Sequence, residues 1–382
     1  MVTITVMAYG RREFLFGSAA LLGCGKRRAS GFSGYAFIAN QESRSVAAVD
    51  LTAFAMIRQI PLEAGPTAVI AHPKQPLVYV LTPEIGVVYE ISALRLAVTR
   101  KSRLGAPAIS MRMAPDGPAL WALCREPRSL VRLSLDQMQP TARIRLPAIP
   151  DDFDVWDSRL AAVSFPHDRS IGLADLGNLG IERISTRAEP HLVRFRSDGK
   201  QILLGNRGTR TVTILDVQTR RSVVHFPVPL EPANFCFKAD GGQLFVTGPG
   251  MDAVVVIFPY STEVSETVLA GRAPDAMAAL SSPEYLFVAN PESANVTVLD
   301  IDSRRVVAVV TAGEEPRHIA FTPDNQYALV LNRKSGDIAV IRIASLSGRR
   351  TRAAPLFTMI PVGSRPVSAA MVESRLPLPD GY

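Results

Sequence analysis

The sequence predicts an all-β protein, a β-propeller of four-stranded blades, because one repeat pattern runs through it. Eight prolines recur at successive spacings of 41, 43, 40, 42, 42, 42 and 50 residues. Each interval holds short runs rich in β-branched residues between turn residues, and no sustained helical period competes with them. Four short strands in about 40 to 45 residues is the size of a propeller blade. The aligned prolines are Pro66, Pro107, Pro150, Pro190, Pro232, Pro274, Pro316 and Pro366.

The elements follow one order in every unit. The proline leads into a short apolar first strand, such as Ile319 to Phe321, and a turn such as Ser197-Asp198-Gly199 comes next. A second strand (Leu244 to Thr247 in one unit) is followed by a polar loop and by a third strand that ends near an Asp, as in Val296 to Asp300. A weaker fourth strand completes the unit, as in Val306 to Thr311. One such sheet cannot bury both of its faces, so the units are expected to pack against one another in a ring.

The chain ends predict how the ring closes. Seven complete units run from Pro66 to Arg365, and the segment before them, residues 35–60, supplies strands two, three and four of another blade. Val367 to Met371 supplies a matching first strand after the last unit. If the two ends meet, they form an eighth, composite blade that leaves no exposed sheet edge at the join.

Seven blades is the alternative. The unit at Pro150 is the most divergent, because Asp151-Asp152-Phe153-Asp154 stands where the other units have an apolar first strand. Seven blades would result if this unit did not form a sheet.

The repeats resemble the YVTN family of bacterial propeller repeats. The matching runs are Tyr79-Val80-Leu81-Thr82, Phe287-Val288-Ala289-Asn290 and Val298-Leu299-Asp300. The resemblance covers residues 35 to about 372 and is strongest in the units at Pro232, Pro274 and Pro316. It implies a propeller, and members of this family often have seven blades.

The N-terminal residues resemble an export signal. Arg11 and Arg12 precede an uncharged apolar run, and the run ends in Leu21-Leu22-Gly23-Cys24. The first feature resembles a twin-arginine signal. The second resembles a bacterial lipobox, which implies cleavage before Cys24 and acylation of its thiol. An ordinary signal peptide with a chance Cys, or a start at Met7, is the alternative.

These motifs predict the domain organisation and the location. Residues 1–23 are the export signal, 24–34 a flexible lipid-anchored tether, 35–372 the propeller and 373–382 a C-terminal tail. We expect a membrane-anchored lipoprotein in the periplasm or at the cell surface. Its partner is the membrane, through the lipid, and an unidentified protein or small molecule, and the propeller is expected to be a monomer.

Composition narrows the class of protein further. Hydrophobic residues make up 47% and charged residues 20% of the chain, which excludes a disordered protein. The formal net charge is +7, which by itself suggests nucleic acid. We nevertheless expect no nucleic-acid partner, because the N-terminal motifs predict export and no aromatic stacking pattern accompanies the arginines.

The arginines and cysteines each allow two interpretations. The pairs Arg220-Arg221, Arg304-Arg305 and Arg349-Arg350 lie between third and fourth strands, where they form either a basic face for anionic lipid or an acidic partner, or solvated turns. Cys124 and Cys236 are either a disulfide or, as we favour, inert buried thiols.

The candidate site lies at one mouth of the central channel. In a propeller the loop entering each first strand and the loop joining second to third strands share one face. The entering loops contribute Asp151, Asp152, His191, Asn234, Asp275, Arg317 and His318. The other loops contribute Asn40, Asn206, Arg207, Asn290, Asn332 and Arg333. Acids, His and Arg converging on one mouth would bind a polar ligand or a metal ion. The structural alternative is that Asn supports a turn and that polar residues beside a water-filled channel need no ligand.

No catalytic residue and no cofactor is predicted. The chain has no G-x-S-x-G, no phosphate loop, no dinucleotide fingerprint and no His-x-x-x-His or Cys-x-x-Cys pattern. The leading hypothesis is therefore a binding or scaffold propeller rather than an enzyme.

Two alternatives stay open. One is a tetrapyrrole- or redox-associated propeller, since eight blades and export resemble the d-type haem domain of periplasmic nitrite reductases. The other is a lactonase-like hydrolase that uses Asp151, Asp275 and His318 with or without a divalent metal.

Overall fold

The computed structural model describes residues 31–346, apart from 106, 116 and 262, together with residues 354–373. Within these residues the chain forms eight antiparallel sheets of four strands each, with no mixed pairing. Export signal, lipidation and tail predictions at residues 1–30 and 374–382 fall outside the described residues.

The strands, numbered in chain order, form blades 1 to 8. Blade 1 consists of β1 (Gly34–Asn40), β2 (Ser45–Asp50), β3 (Ala55–Pro61) and β32 (Pro366–Glu373). Blade 2 is β4 (Ala68–Ala71), β5 (Leu77–Thr82), β6 (Val87–Ser92) and β7 (Ala97–Arg103). Blade 3 is β8 (Ala108–Met113), β9 (Ala119–Cys124), β10 (Ser129–Ser134) and β11 (Gln139–Arg145). Blade 4 is β12 (Phe153–Val155), β13 (Leu160–Phe165), β14 (Ser170–Asp175) and β15 (Gly180–Ser185).

The remaining blades continue in the same order. Blade 5 is β16 (Pro190–Phe195), β17 (Gln201–Asn206), β18 (Thr211–Asp216) and β19 (Ser222–Pro227). Blade 6 is β20 (Asn234–Phe237), β21 (Leu244–Thr247), β22 (Ala253–Phe258) and β23 (Glu263–Leu269). Blade 7 is β24 (Met277–Ser281), β25 (Glu284–Asn290), β26 (Asn295–Asp300) and β27 (Val306–Thr311). Blade 8 is β28 (Pro316–Phe321), β29 (Tyr327–Asn332), β30 (Asp337–Arg342) and β31 (Leu356–Pro361).

The prediction of eight blades is confirmed, and the alternative of seven is wrong. The divergent unit forms blade 4, where the short strand β12 pairs with β13 from Phe153↔Val163 to Val155↔Ala161. Blade 1 closes the ring as predicted: β32 pairs antiparallel with β1, in a register that places Phe37 opposite Ala370.

The hydrophobic core lies between blades rather than inside one of them. Alternate residues of a strand point to opposite faces of its sheet. In β1 the side chains of Phe37 and Ala39 therefore pack toward blade 2, whereas Ala36 and Ile38 pack toward blade 8. Across the described residues, eight such apolar clusters each join a different pair of neighbouring blades. Each blade therefore buries its apolar faces only against its neighbours, because each cluster contains side chains from two sheets.

Glycine in the loops before the aligned prolines allows a close approach. A Cβ on Gly271 would lie 2.7 Å from Nδ2 of Asn290, and one on Gly313 would lie 2.7 Å from Nδ2 of Asn332. Each Asn is fully buried at the end of a second strand. The Gly-x-x-Pro spacing thus lets each loop fold down onto the blade that it enters.

Among the described residues, four short 3₁₀ helices interrupt the loops. Their bounds are Pro83–Ile85, Pro166–Asp168, Pro291–Ser293 and Ile343–Ser345. In the part of the chain that the structure describes, no helix has the length and apolar character needed to cross a membrane.

The two faces of the ring are distinguished by their loops. We call the face that carries the loops entering each inner strand, and the loops joining second to third strands, the upper face. The lower face carries the remaining loops. All the sequence-predicted site residues come from the upper-face loops or from the adjoining ends of inner and second strands.

Candidate functional site

The structure divides the predicted site residues into two groups on opposite parts of the upper face. Asp151, Asp152 and His191 lie on blades 4 and 5, whereas Asn234, Asp275 and Arg317 lie on blades 6, 7 and 8. His318 follows Arg317 within β28.

On blades 4 and 5 the acidic residues bind the backbone of the neighbouring blade. Oδ2 of Asp152 accepts a hydrogen bond from the N–H of Val193 at 3.2 Å and also from the guanidinium of Arg194. Oδ2 of Asp154 accepts the N–H of Phe195 at 3.0 Å. An inner strand has one unpaired edge, and these carboxylates satisfy two of its donors. The acidic first strand of blade 4 therefore has a structural role in the ring.

Two arginines complete this network. Nε of Arg112 in blade 3 donates to the carbonyl oxygen of Phe153 at 2.9 Å and lies 3.6 Å from Asp154. Burial raises the pKa of Asp154, although Arg112 and Arg194 favour its charged form. Arg112, Asp154 and Arg194 were not among the site residues predicted from the sequence. The sequence feature that could have identified them is the alternation of charged and apolar residues along neighbouring inner strands.

Asp151 and His191 form a separate pair at the rim. Nδ1 of His191 lies 3.0 Å from Oδ2 of Asp151. Both residues line a cleft of about 270 Å³, together with His167 and Arg125. The described residues nevertheless contain no group of three or more His, Cys, Asp or Glu side chains placed to hold a metal ion.

On blades 6 to 8 four side chains form a continuous polar chain. Nδ2 of Asn234 donates to Oδ1 of Asp275 at 2.7 Å, and Nη1 of Arg317 donates to Oδ2 of the same carboxylate at 2.6 Å. Nε of Arg317 donates to Oε1 of Glu315 at 2.7 Å. Asp275 and Arg317 line an open cleft of about 540 Å³ over blades 6 and 7.

A second large cleft lies at the seam between blades 8 and 1. It measures about 670 Å³. Arg333 and Lys334 come from the β29–β30 loop, Arg365 from the loop that leads into β32, and Glu42 from blade 1. We call this the seam cleft.

His318 lies close to the charge of Arg333. Burial and the positive charge of Arg333 together lower the pKa of His318 to about 4. Its imidazole is therefore neutral at physiological pH. This makes it a hydrogen-bonding group or an unprotonated base rather than a cation.

The asparagines of the upper face stabilise turns through side-chain hydrogen bonds. Nδ2 of Asn206 donates to Oγ1 of Thr213 at 2.9 Å, and Nδ2 of Asn290 donates to Oγ1 of Thr297 at 2.9 Å. Nδ2 of Asn40 donates to the carbonyl oxygen of Val362 at 2.8 Å. All are fully or almost fully buried, which agrees with the structural interpretation of Asn after a strand.

The lower-face arginine pairs link neighbouring blades. Nε of Arg220 in blade 5 donates to Glu182 of blade 4 at 2.9 Å, and Arg304 in blade 7 pairs with Glu266 of blade 6. These bonds fit the interpretation of the arginines as turn residues. Arg349 and Arg350 fall outside the described residues.

The two described cysteines are free thiols. Cys124 is buried in blade 3, and Cys236 is half-buried in the inner strand of blade 6. Burial raises the pKa of each thiol to about 11, so both are protonated and unreactive at neutral pH.

Comparison of solved structures shows the fold. The most informative likeness is to dihydro-heme d1 dehydrogenase NirN in complex with DHE, with a TM-score of 0.73 and 15% identity over 88% of this chain and 75% of that one. Apo AztD from Citrobacter koseri gives a TM-score of 0.67 and 13% identity over 89% and 98%. Hydrazine synthase from Kuenenia stuttgartiensis gives 0.59 and 20% over 73% and 96%.

Sequence comparison is more limited. Residues 186–357 match a family model described as Lactonase, 7-bladed beta-propeller. The match begins at the end of blade 4 and stops within β31, and the ring that contains it has eight blades. No curated protein sequence matches the chain.

Removing the charge of Arg333 should raise the pKa of His318. In Arg333→Gln the repulsive guanidinium is gone but burial remains, so the pKa should lie above about 4 and still below the ordinary 6.5. The imidazole Cε1–H signals of histidine-labelled protein, followed against pH and assigned with His318→Asn, measure it. An unchanged His318 pKa in Arg333→Gln would show that the two groups are not neighbours.

Proposed function

We propose that this propeller is a binding module without catalysis of its own, and that its binding surface is the upper face over blades 6, 7, 8 and 1. The observation that carries the proposal is the pair of open clefts there, of about 540 and 670 Å³, lined by ionisable side chains. Clefts of this size accommodate small organic ligands.

The opposite part of the upper face supports this choice. On blades 3 to 5 the charged inner-strand side chains of Arg112, Asp152 and Asp154 are committed to the backbone and charges of neighbouring blades. A ligand there would have to replace bonds that hold the ring. On blades 6 to 8 the polar chain through Asp275 and Arg317 instead borders open space.

Two of the similarities to known proteins support alternative functions, and each alternative ligand would bind the same upper face. The likeness to NirN in complex with DHE makes a tetrapyrrole a candidate ligand, and the partial match to a lactonase model makes a lactone a candidate substrate. The first alternative is a form of binding, whereas the second requires turnover.

A ligand panel on the purified protein separates these functions. The panel consists of haemin followed by absorbance, neutral sugars and organic acids followed by calorimetry, and γ-butyrolactone followed by acid release. We expect saturable binding of at least one compound, with an affinity that changes in Asp275→Asn or in Arg333→Gln, one variant for each cleft, and stays unchanged in Asp240→Asn. Asp240 is a matched control because it lies in an exposed lower-face turn of blade 6.

Three outcomes would contradict the proposal. Lactone hydrolysis that is lost in Asp275→Asn would make the protein a hydrolase. Binding that is weakened only by lower-face variants, or no binding to any compound, would remove the upper face as the binding surface.

We also propose that the protein is exported and anchored by a lipid on Cys24, so that the propeller acts at a membrane surface. The order of Arg11-Arg12, an apolar run and Leu21-Leu22-Gly23-Cys24 supports this.

Labelling bacteria with a clickable palmitate should mark the wild type and not Cys24→Ser. Replacing Arg11 and Arg12 with Lys should hold the protein in the cytoplasm. Label on Cys24→Ser, or unchanged export of the double Lys variant, would overturn it.

A further inference from the structure

Arg333 is the one ionisable side chain of the seam cleft without a protein partner among the described residues. Its Nε is buried from solvent and lacks a hydrogen-bond acceptor, and its guanidinium makes no ion pair with any residue that the structure describes. An arginine stays charged in proteins, so this group cannot escape the cost of burial by losing its proton. A buried polar atom without a partner is costly and needs an explanation.

The neighbouring carboxylates are already occupied. Oδ2 of Asp275 and Oε1 of Glu315 both accept from Arg317, at 2.6 and 2.7 Å. At the exposed rim, Glu314 pairs with Lys334 at 2.9 Å, and Glu42 pairs with Arg365 at 3.3 Å. Three of the cations therefore pair with all four carboxylates. The fourth cation, Arg333, pairs with none of them.

Net charge therefore does not mark the site, since four positive and four negative groups surround it. The site is distinguished instead by its hydrogen bonds, because one buried nitrogen of a cation has no acceptor. Burial, and then the nearby charge of Arg317, lower the pKa of Arg333, which means that its surroundings do not compensate its charge. An added group that brings oxygen acceptors would do so.

Two hydroxyl groups add donors in the same cleft. Oγ of Ser335 accepts the N–H of Glu314 at 3.1 Å, and Oγ of Ser43 accepts the N–H of Ser364 at 2.7 Å. Because each oxygen acts as an acceptor in these bonds, its own O–H is free to donate. Both serines line the seam cleft together with Arg333.

We propose that the seam cleft binds a small anion through carboxylate or phosphate oxygens, with Arg333 as the main ligand-binding residue and Ser43 and Ser335 as additional donors. A guanidinium fork matches the two oxygens of a carboxylate or phosphate. The cleft volume of about 670 Å³ is large enough for an organic acid of citrate size. This inference rests on the proposed binding function and names the ligand class of its surface.

Calorimetric titration of the full chain with citrate and with inorganic phosphate tests the inference and distinguishes the two anion types. We expect at least one of them to bind, and Arg333→Gln to weaken it about tenfold or more, because hydrogen bonds to a charged group are lost. Arg207→Gln is the matched control. Arg207 occupies the equivalent position after Asn206 in blade 5 and is exposed outside the cleft. It should change the affinity less than about twofold, since surface changes away from a site have small effects.

Thermal unfolding without ligand separates binding from a structural role. Because Arg333 bonds to no described side chain, Arg333→Gln should leave the unfolding midpoint unchanged or raise it. Citrate or phosphate should raise the midpoint of the wild type and have little effect on Arg333→Gln.

Each outcome decides between the two proposals. Equal affinity of wild type and Arg333→Gln, or no binding of either anion while a neutral sugar binds, would overturn the anion site and leave the binding function standing. A sharply lowered midpoint in ligand-free Arg333→Gln would show that the residue is structural. If no compound of the wider panel binds either, the binding function itself fails.

Discussion

The pairing of β1 with β32 is the constraint on which the rest of this structure depends. It joins chain segments more than 300 residues apart, as the hydrogen bond from Asn40 to Val362 illustrates, with a sequence separation of 322. Without it, blade 1 would lack its inner strand, and its apolar clusters with blades 2 and 8 would lose the side chains that β32 contributes, such as Ala370 and Ala369. The same join brings Arg365 and Glu42 beside Arg333 and so creates the seam cleft. Closure of the ring and formation of the candidate site are one structural event.

Equivalent positions serve different purposes around the ring. The two residues that follow each aligned proline are acidic in blade 4, where Asp152 binds the backbone of blade 5. In blade 8 they are Arg317 and His318, which border open clefts or a neighbouring cation. Equivalent positions can differ in this way because each blade of a repeat protein packs only against its two neighbours. Side chains can therefore stabilise one part of the ring while another part stays open for binding.

Much of the fold was predictable, and less of the site. The proline spacing and alternating apolar strands determined the number and order of strands, because the period of side-chain burial is local to each blade. Even the divergent acidic strand of blade 4 could be placed by its proline. Side-chain pairing between blades was not predictable: the sequence placed Asp152 and Arg333 on one face, but only the structure shows that Asp152 is occupied by Val193 and Arg194 while Arg333 has no partner among the described residues.

Hydrogen exchange of β1 tests the central claim, closure by the last strand, most directly. The matched reference is β25, the second strand of blade 7, in which Phe287 faces Ala278 as Phe37 of β1 faces Ala370. If β32 closes blade 1, the amides of residues 34–40 should be protected as strongly as those of residues 284–290, because both strands are bonded on both sides. Exchange of the β1 amides that face β32 within seconds, while β25 stays protected, would show that the ring is open at the seam.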